Sequence, residues 1–137
     1  MTRIPSLTLT QAKLAHMTSW AIVVFFEALA VFFPVRGWPT PLRIAIALVL
    51  AGCIVVIFYT TLSRRVEKPD ERAAYNTYRA NSTIYELLFF VFALYVLFGE
   101  RLGMDTVTFT RDQLLLVFAS FCLVHDVVFL LYERFGK

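Results

Sequence analysis

PDERAAYNTYRANSTIYELLFFVFALYVLFG, residues 69–99, begins as charged, water-soluble sequence and ends as hydrocarbon. Nothing within it breaks a helix: Pro69 suits a first helical position, and Gly99 is the next breaker. A helix of that length runs about 46 Å at about 1.5 Å per residue, against about 30 Å for a bilayer core. It is therefore predicted to stand out of the membrane by several turns. On a 3.6-residue period Arg72, Asn76, Arg79, Thr83 and Glu86 fall within about 40° of one line. A polar stripe that starts in water and runs into the bilayer is the first place to look for chemistry.

Three more apolar runs flank this stretch. Toward the N-terminus, SRRVEKPD (residues 63–70) is a polar connection from a span at Leu42–Leu62. Thr40 is expected to cap that span and Pro41 to take its first turn. Its Ala47, Ala51 and Gly52 make a small surface suited to close helix packing. VRGWPTP (residues 35–41) joins it to Leu14–Val35, where Gly37, Pro39 and Pro41 stop the helix. That first run is too long for the core of a signal peptide, contains Glu27, and ends at Pro34 without a small-residue cleavage site, so it reads as a retained span. Trp20 is placed at the interfacial belt. Toward the C-terminus, Thr110 and Gln113 form a capping-box pattern ahead of Asp112–Tyr132.

Beyond their ends, these four runs carry no Lys or Arg. The chain has 137 residues, 59% hydrophobic and 16% aromatic, with mean hydropathy +0.70, which excludes an ordinary soluble domain. The predicted fold class is all-α: a polytopic membrane four-helix bundle, its third helix extended into the cytoplasm. It forms a single domain over residues 1–137 with spans near 14–35, 42–62, 80–99 and 112–132. The net charge of +3 is modest and the basic residues sit at helix ends, which fits topology and lipid headgroups rather than nucleic acid.

Those basic residues set the predicted orientation. Arg3, Lys13, Arg64, Arg65, Lys68, Arg72, Arg79, Arg134 and Lys137 fall on one side, nine of the thirteen; Arg36, Arg43, Arg101 and Arg111 fall on the other. The positive-inside rule puts both termini in the cytoplasm of a cell whose inner (plasma) membrane holds the chain. The two outward loops are then too short to form a domain.

Ionisable residues inside spans are costly, which makes Glu27, Glu86, His125 and Asp126 the intramembrane candidates. Counted from the cytoplasmic end, Glu86 lies about 8 Å deep and His125–Asp126 about 10–12 Å deep, one layer; His16 lies at the inner edge, about 8–9 Å from the depth of His125. The structural alternative is that Glu86 pairs with Arg79, and that Asp126 and His125 lock helices together. Glu27 is predicted deeper, with no basic residue at its level, as a neutral carboxyl hydrogen-bonded to a neighbour. His16, Trp20, Val23 and Glu27 share a helix face, which makes a hydrated path geometrically possible.

Metal chemistry would fall to His125, Asp126 and Glu86 with His16, but two His and no ligand spacing give no metal site. Cys53 and Cys122 read as small buried apolar side chains. Tyr75, Tyr78 and Tyr85 form a second stripe, an aromatic belt or a partner surface. There is no P-loop, nucleophile elbow, CxxC or HExxH pattern, so neither a complete catalytic set nor a cofactor is predicted.

Asp70-Glu71-Arg72 followed by Arg79-Ala80 at the entrance to the third span resembles a family of small four-span prokaryotic membrane proteins of unknown function. That resemblance implies the four-span layout and no activity. Arg72-Ala73-Ala74-Tyr75-Asn76 is also similar to the Arg-Ala-x-x-Asn-x-x-Glu signature of the membrane-associated eicosanoid and glutathione metabolism family, although Arg79 stands where that signature has Glu. Read from Arg79-Ala80, Glu86 fits and Thr83 replaces the Asn. This second resemblance implies glutathione binding by Arg72, Asn76 or Glu86.

The predicted function is association: an accessory, regulatory or immunity-type membrane subunit that docks through the cytoplasmic stripe of Arg72, Asn76, Arg79 and Thr83. Its partners would be the lipid bilayer and a protein or a second copy of itself. The alternatives are a small oligomeric transporter or channel using Glu27, Glu86 and Asp126, and a glutathione-dependent membrane enzyme.

Overall fold

The computed structural model describes residues 7–33, 35–63 and 67–136. Arg3, Arg64, Arg65 and Lys137 of the orientation argument, and the span-ending Pro34, lie outside them. Among the described residues the chain is an all-α four-helix bundle: α1 Leu9–Phe32, α2 Thr40–Leu62, α3 Glu71–Phe98 and α4 Arg111–Phe135, with short 3-10 turns at Val35–Gly37 and Glu100–Leu102. All four are long and apolar enough to cross a membrane.

The helix starts follow from their caps. α1 begins at Leu9, five residues before the predicted span, because Thr8 and Gln11 form a capping box: each backbone N–H donates to the other's side-chain oxygen at 3.2 Å. Thr110 and Gln113 do the same for α4, as predicted, at 3.0 and 3.3 Å. α3 starts at Glu71 with Asp70 as N-cap, accepting from Ala73 N–H at 2.7 Å, so Pro69 precedes the helix rather than opening it. α2 starts at Thr40 behind Pro39, with no side-chain cap, so Thr40 is the first helical residue and not the cap.

The main packing runs α2–α1–α4–α3. α1 sits between α2 and α4, and α3 is held by α4. Two small-residue cores result. Val23, Cys53 and Ala119 join α1, α2 and α4, with Trp20 and Leu50 against them. Ala73, Ala80 and Phe129 join α3 and α4. Small side chains at these crossings let the backbones approach closely, as expected where lipid supplies no hydrophobic drive.

Two packing expectations are corrected. Ala47, Ala51 and Gly52 are exposed; α2 turns Ile46, Leu50, Cys53 and Ile57 inward instead, a helical face about 100° away from the small residues. Trp20 lies in the bundle, edge-on to His16 at 6.1 Å and to Phe118 at 5.8 Å, not in an interfacial belt. α3 packs only through its first half. Not one residue of its apolar window is buried, and Phe89 is 75% exposed.

Candidate functional site

The buried face of α4 carries Ala119, Asp126 and Phe129, spaced seven and three apart. Asp126 is thereby turned into the bundle and is 1% exposed. The facing stripe of α1 is Ala12, Ser19 and Val23, and His16 falls on the same line between them. His16 Nδ1 is hydrogen-bonded to Asp126 Oδ2. Lys13 Nζ stands 3.6 Å from Oδ1 and 5.1 Å above the Phe129 ring. His125 Nδ1 lies 3.5 Å from Oδ1, and its Nε2 meets Asn81 Oδ1 on α3 at 2.7 Å. One carboxylate thus ties α1 to α4, and its neighbour ties α4 to α3. A buried carboxylate without such partners would cost several kcal/mol.

The sequence points to His125 and Asp126 and groups His16 with them only as a metal ligand; Lys13 and Asn81 carry no such signal. The depth estimate separated His16 from His125 because it counted from Leu14. Counted from Leu9, His16 is about 10 Å along α1, and Asp126 is about 13 Å from the end of α4. Glu86 does not join this cluster. It is exposed, and its hydrogen-bond partner among the described residues is Ser82 at 3.4 Å.

Glu27 lies at the opposite end of the bundle, eleven residues and about 16 Å along α1 from His16. It lines a cavity of about 570 Å³ with Arg43, Asp112 and Trp38. A basic residue is therefore at its level, contrary to the prediction, because α2 begins at Thr40 and carries Arg43 beside it. Val23 and Trp20 fill the space between Glu27 and His16 by packing against Cys53 and Ala119. The three carboxylates Glu27, Glu86 and Asp126 sit in separate places.

The stripe on α3 is a seam. The Arg72 guanidinium donates to the carbonyls of Glu133 at 2.9 Å and Gly136 at 3.2 Å, satisfying orphan acceptors at the end of α4. Asn76, 2% exposed, donates to Glu133 Oε1 at 2.7 Å. Arg79 stacks on Tyr132, 4.0 Å from the ring, rather than pairing with Glu86. Thr83 donates to Arg79 C=O at 2.9 Å, which leaves Tyr132 O–H to donate to Thr83 across 3.1 Å. Arg72, Asn76, Arg79 and Thr83 are thus all engaged with α4, Asn76 buried, Arg79 and Thr83 half-buried and Arg72 still exposed at the end of the seam. Tyr75, Tyr78 and Tyr85 are exposed beside them.

A second cavity, about 310 Å³, opens where α1 begins and α2 ends. Lys13, His16, Thr60, Thr61, Glu67 and Lys68 are in its wall. Among the described residues no group of three or more His, Cys, Asp or Glu is arranged to hold a metal ion. Cys53 and Cys122 are free thiols, the first buried and the second half-buried.

Four helices of spanning length and composition, three of them tied by a buried charge cluster, make this a multi-pass all-α membrane protein. The chain matches no protein-family model, no curated protein and no solved structure. Its two motif resemblances therefore rest on their own residues.

Proposed function

We propose that this chain is a multi-pass protein of the inner membrane, with both termini cytoplasmic, that works by association as an accessory, regulatory or immunity-type subunit. The observation that carries this reading is Glu86. It is an exposed carboxylate at the start of the apolar length of α3, bonded within the chain to Ser82, on a helix that buries nothing there. An acidic side chain facing hydrocarbon costs about 2.5–3.5 kcal/mol on insertion scales. A second helix that brings a hydrogen-bond donor to Glu86 removes that cost and covers the apolar face. Since Arg72, Asn76, Arg79 and Thr83 are spent on α4, the docking surface is the outer side of α3: Glu86, the exposed tyrosines, and the apolar run beyond. The transport reading draws on Glu27, Glu86 and Asp126, which sit in separate places among the described residues. The glutathione reading draws on Arg72 and Asn76, which are bound to α4, and on Glu86, which lies about 21 Å along the helix from Arg72.

Photo-crosslinking in native membranes tests this. A crosslinker at Phe89 should give a protein adduct of discrete mass, one at Leu48 on the outer face of α2 should not, and Glu86→Leu should abolish the first. An adduct of twice the 15.7 kDa chain mass would make the partner a second copy. Lipid adducts alone at both positions would overturn the reading. The orientation is tested separately with single cysteines at Ser63 and Met104 in a background lacking Cys53 and Cys122. An impermeant thiol reagent should reach position 104 from outside and position 63 only after the membrane is opened; labelling of both from one side would exclude the topology.

A further inference from the structure

The cavity where α1 begins and α2 ends is not used by the association reading. We propose that it binds a phosphate group. It has a volume of about 310 Å³ and is walled by residues of α1, α2 and the segment leading into α3. Its cationic wall is built, not incidental. Lys13 is held in place by the Phe129 ring on one side and by Asp126 on the other. His16 has Nδ1 committed to Asp126, which leaves Nε2 as its one remaining ring nitrogen for a ligand. Lys68 stands on the facing segment and makes no ion pair among the described residues. That segment is fastened to the start of α1, since Glu67 N–H donates to Leu7 C=O at 3.0 Å and Leu9 N–H donates to Glu67 Oε2 at 3.2 Å. Of the two acidic groups near the cavity, Asp126 is paired with Lys13 and bonded to two histidines, and Glu67, itself in the wall, has one carboxylate oxygen turned to the Leu9 N–H. Two lysines and a histidine in the wall of one small space suit a compact multi-oxygen anion, with Lys68 the ammonium that no carboxylate of the described residues offsets.

Position adds to charge. The wall includes Leu9, at the first turn of α1, and Thr61, in the last turn of α2, so the cavity lies at the membrane-facing ends of two spans, where lipid headgroups sit. The phosphate can come from a lipid headgroup or from a soluble phosphorylated compound; the chemistry recognised is the same.

The full chain in detergent is titrated with inorganic phosphate against chloride at matched ionic strength. Trp20, edge-on to His16, is the reporter in a Trp38→Phe background, where it is the sole tryptophan. In parallel, nanodiscs of phosphatidylcholine with phosphatidylglycerol are analysed by native mass spectrometry. A saturable fluorescence change with phosphate, weakened about tenfold or more by Lys68→Gln and by Lys13→Gln, supports the site. Phosphatidylglycerol retained by the wild type and lost in both variants assigns it to a lipid; a phosphate response without retained lipid assigns it to a soluble compound. Lys68 lies outside the helix packing, so unchanged helicity of Lys68→Gln shows that its loss is not misfolding. Phosphate no better than chloride together with no lysine-dependent lipid retention overturns the proposal, as does binding that neither lysine change weakens.

Discussion

Asp126→Ala is expected to cost about 3–5 kcal/mol of folding stability, the range for removing one member of a buried charge set. The size follows from what is left behind. Asp126 is 1% exposed, and its carboxylate faces Lys13 on α1 and His16 on α1, with His125 beside it on α4. Without it, the Lys13 ammonium and the His16 imidazole lose the one carboxylate that α4 brings to them. Asp126→Asn keeps an acceptor oxygen for His16 but loses the charge facing Lys13, and should cost about 1–3 kcal/mol. Lys13→Met in the Asp126→Ala background should recover part of the loss, because the stranded cation is gone. Unfolding in detergent, followed by Trp20 fluorescence, measures all three. A loss below about 1 kcal/mol for Asp126→Ala would show that the carboxylate does not lock α1 to α4.

The second large effect is expected at Phe129. It is 1% exposed, packs against Ala73 and Ala80 of α3, and carries Lys13 above its ring. Phe129→Ala removes the largest fully buried side chain of that core, and truncation of a buried Phe costs about 3–5 kcal/mol. It should also loosen α3 selectively. Hydrogen exchange should rise across Glu71–Thr83 while the α1–α2 contact around Cys53 keeps its protection. Ala80→Leu should act on the same contact from the other side, by overpacking, at about 1–3 kcal/mol. Equal loss of protection in α2 would show that the bundle opens as one unit and that α3 has no separate attachment.

Much of the fold is legible because it depends on local chemistry. Four apolar runs, their polar connections and the Thr110–Gln113 box can all be read along the chain. Thr8–Gln11 has the same pattern, but hydropathy places the onset of the first span at Leu14 and hides it. That five-residue error carries into the site, since it displaces His16 from Asp126. The stripe of Arg72, Asn76, Arg79 and Thr83 is legible as a period; its partner is not, because Tyr132, Glu133 and Gly136 come from a helix some sixty residues away. Asp126 is visible as a costly residue, yet nothing in its neighbourhood of sequence names Lys13 or His16. The Ala47–Ala51–Gly52 surface misleads because small residues permit close approach without saying which side of a helix is approached.

The seam between α3 and α4 grips only the beginning of α3. From Ala80, where the grip is tightest, to Phe98 is eighteen residues, or about 27 Å of rod. A rod clamped near one end is a lever. A tilt of about 10° at the Phe129 fulcrum sweeps its tip by about 5 Å, and the tip is tied to the turn that ends at Met104 through Met104 N–H and Gly99 C=O. One continuous helix, α3, thus joins the last turn of α4, where Arg72 holds the carbonyls of Glu133 and Gly136, to the turn at the opposite end of the bundle.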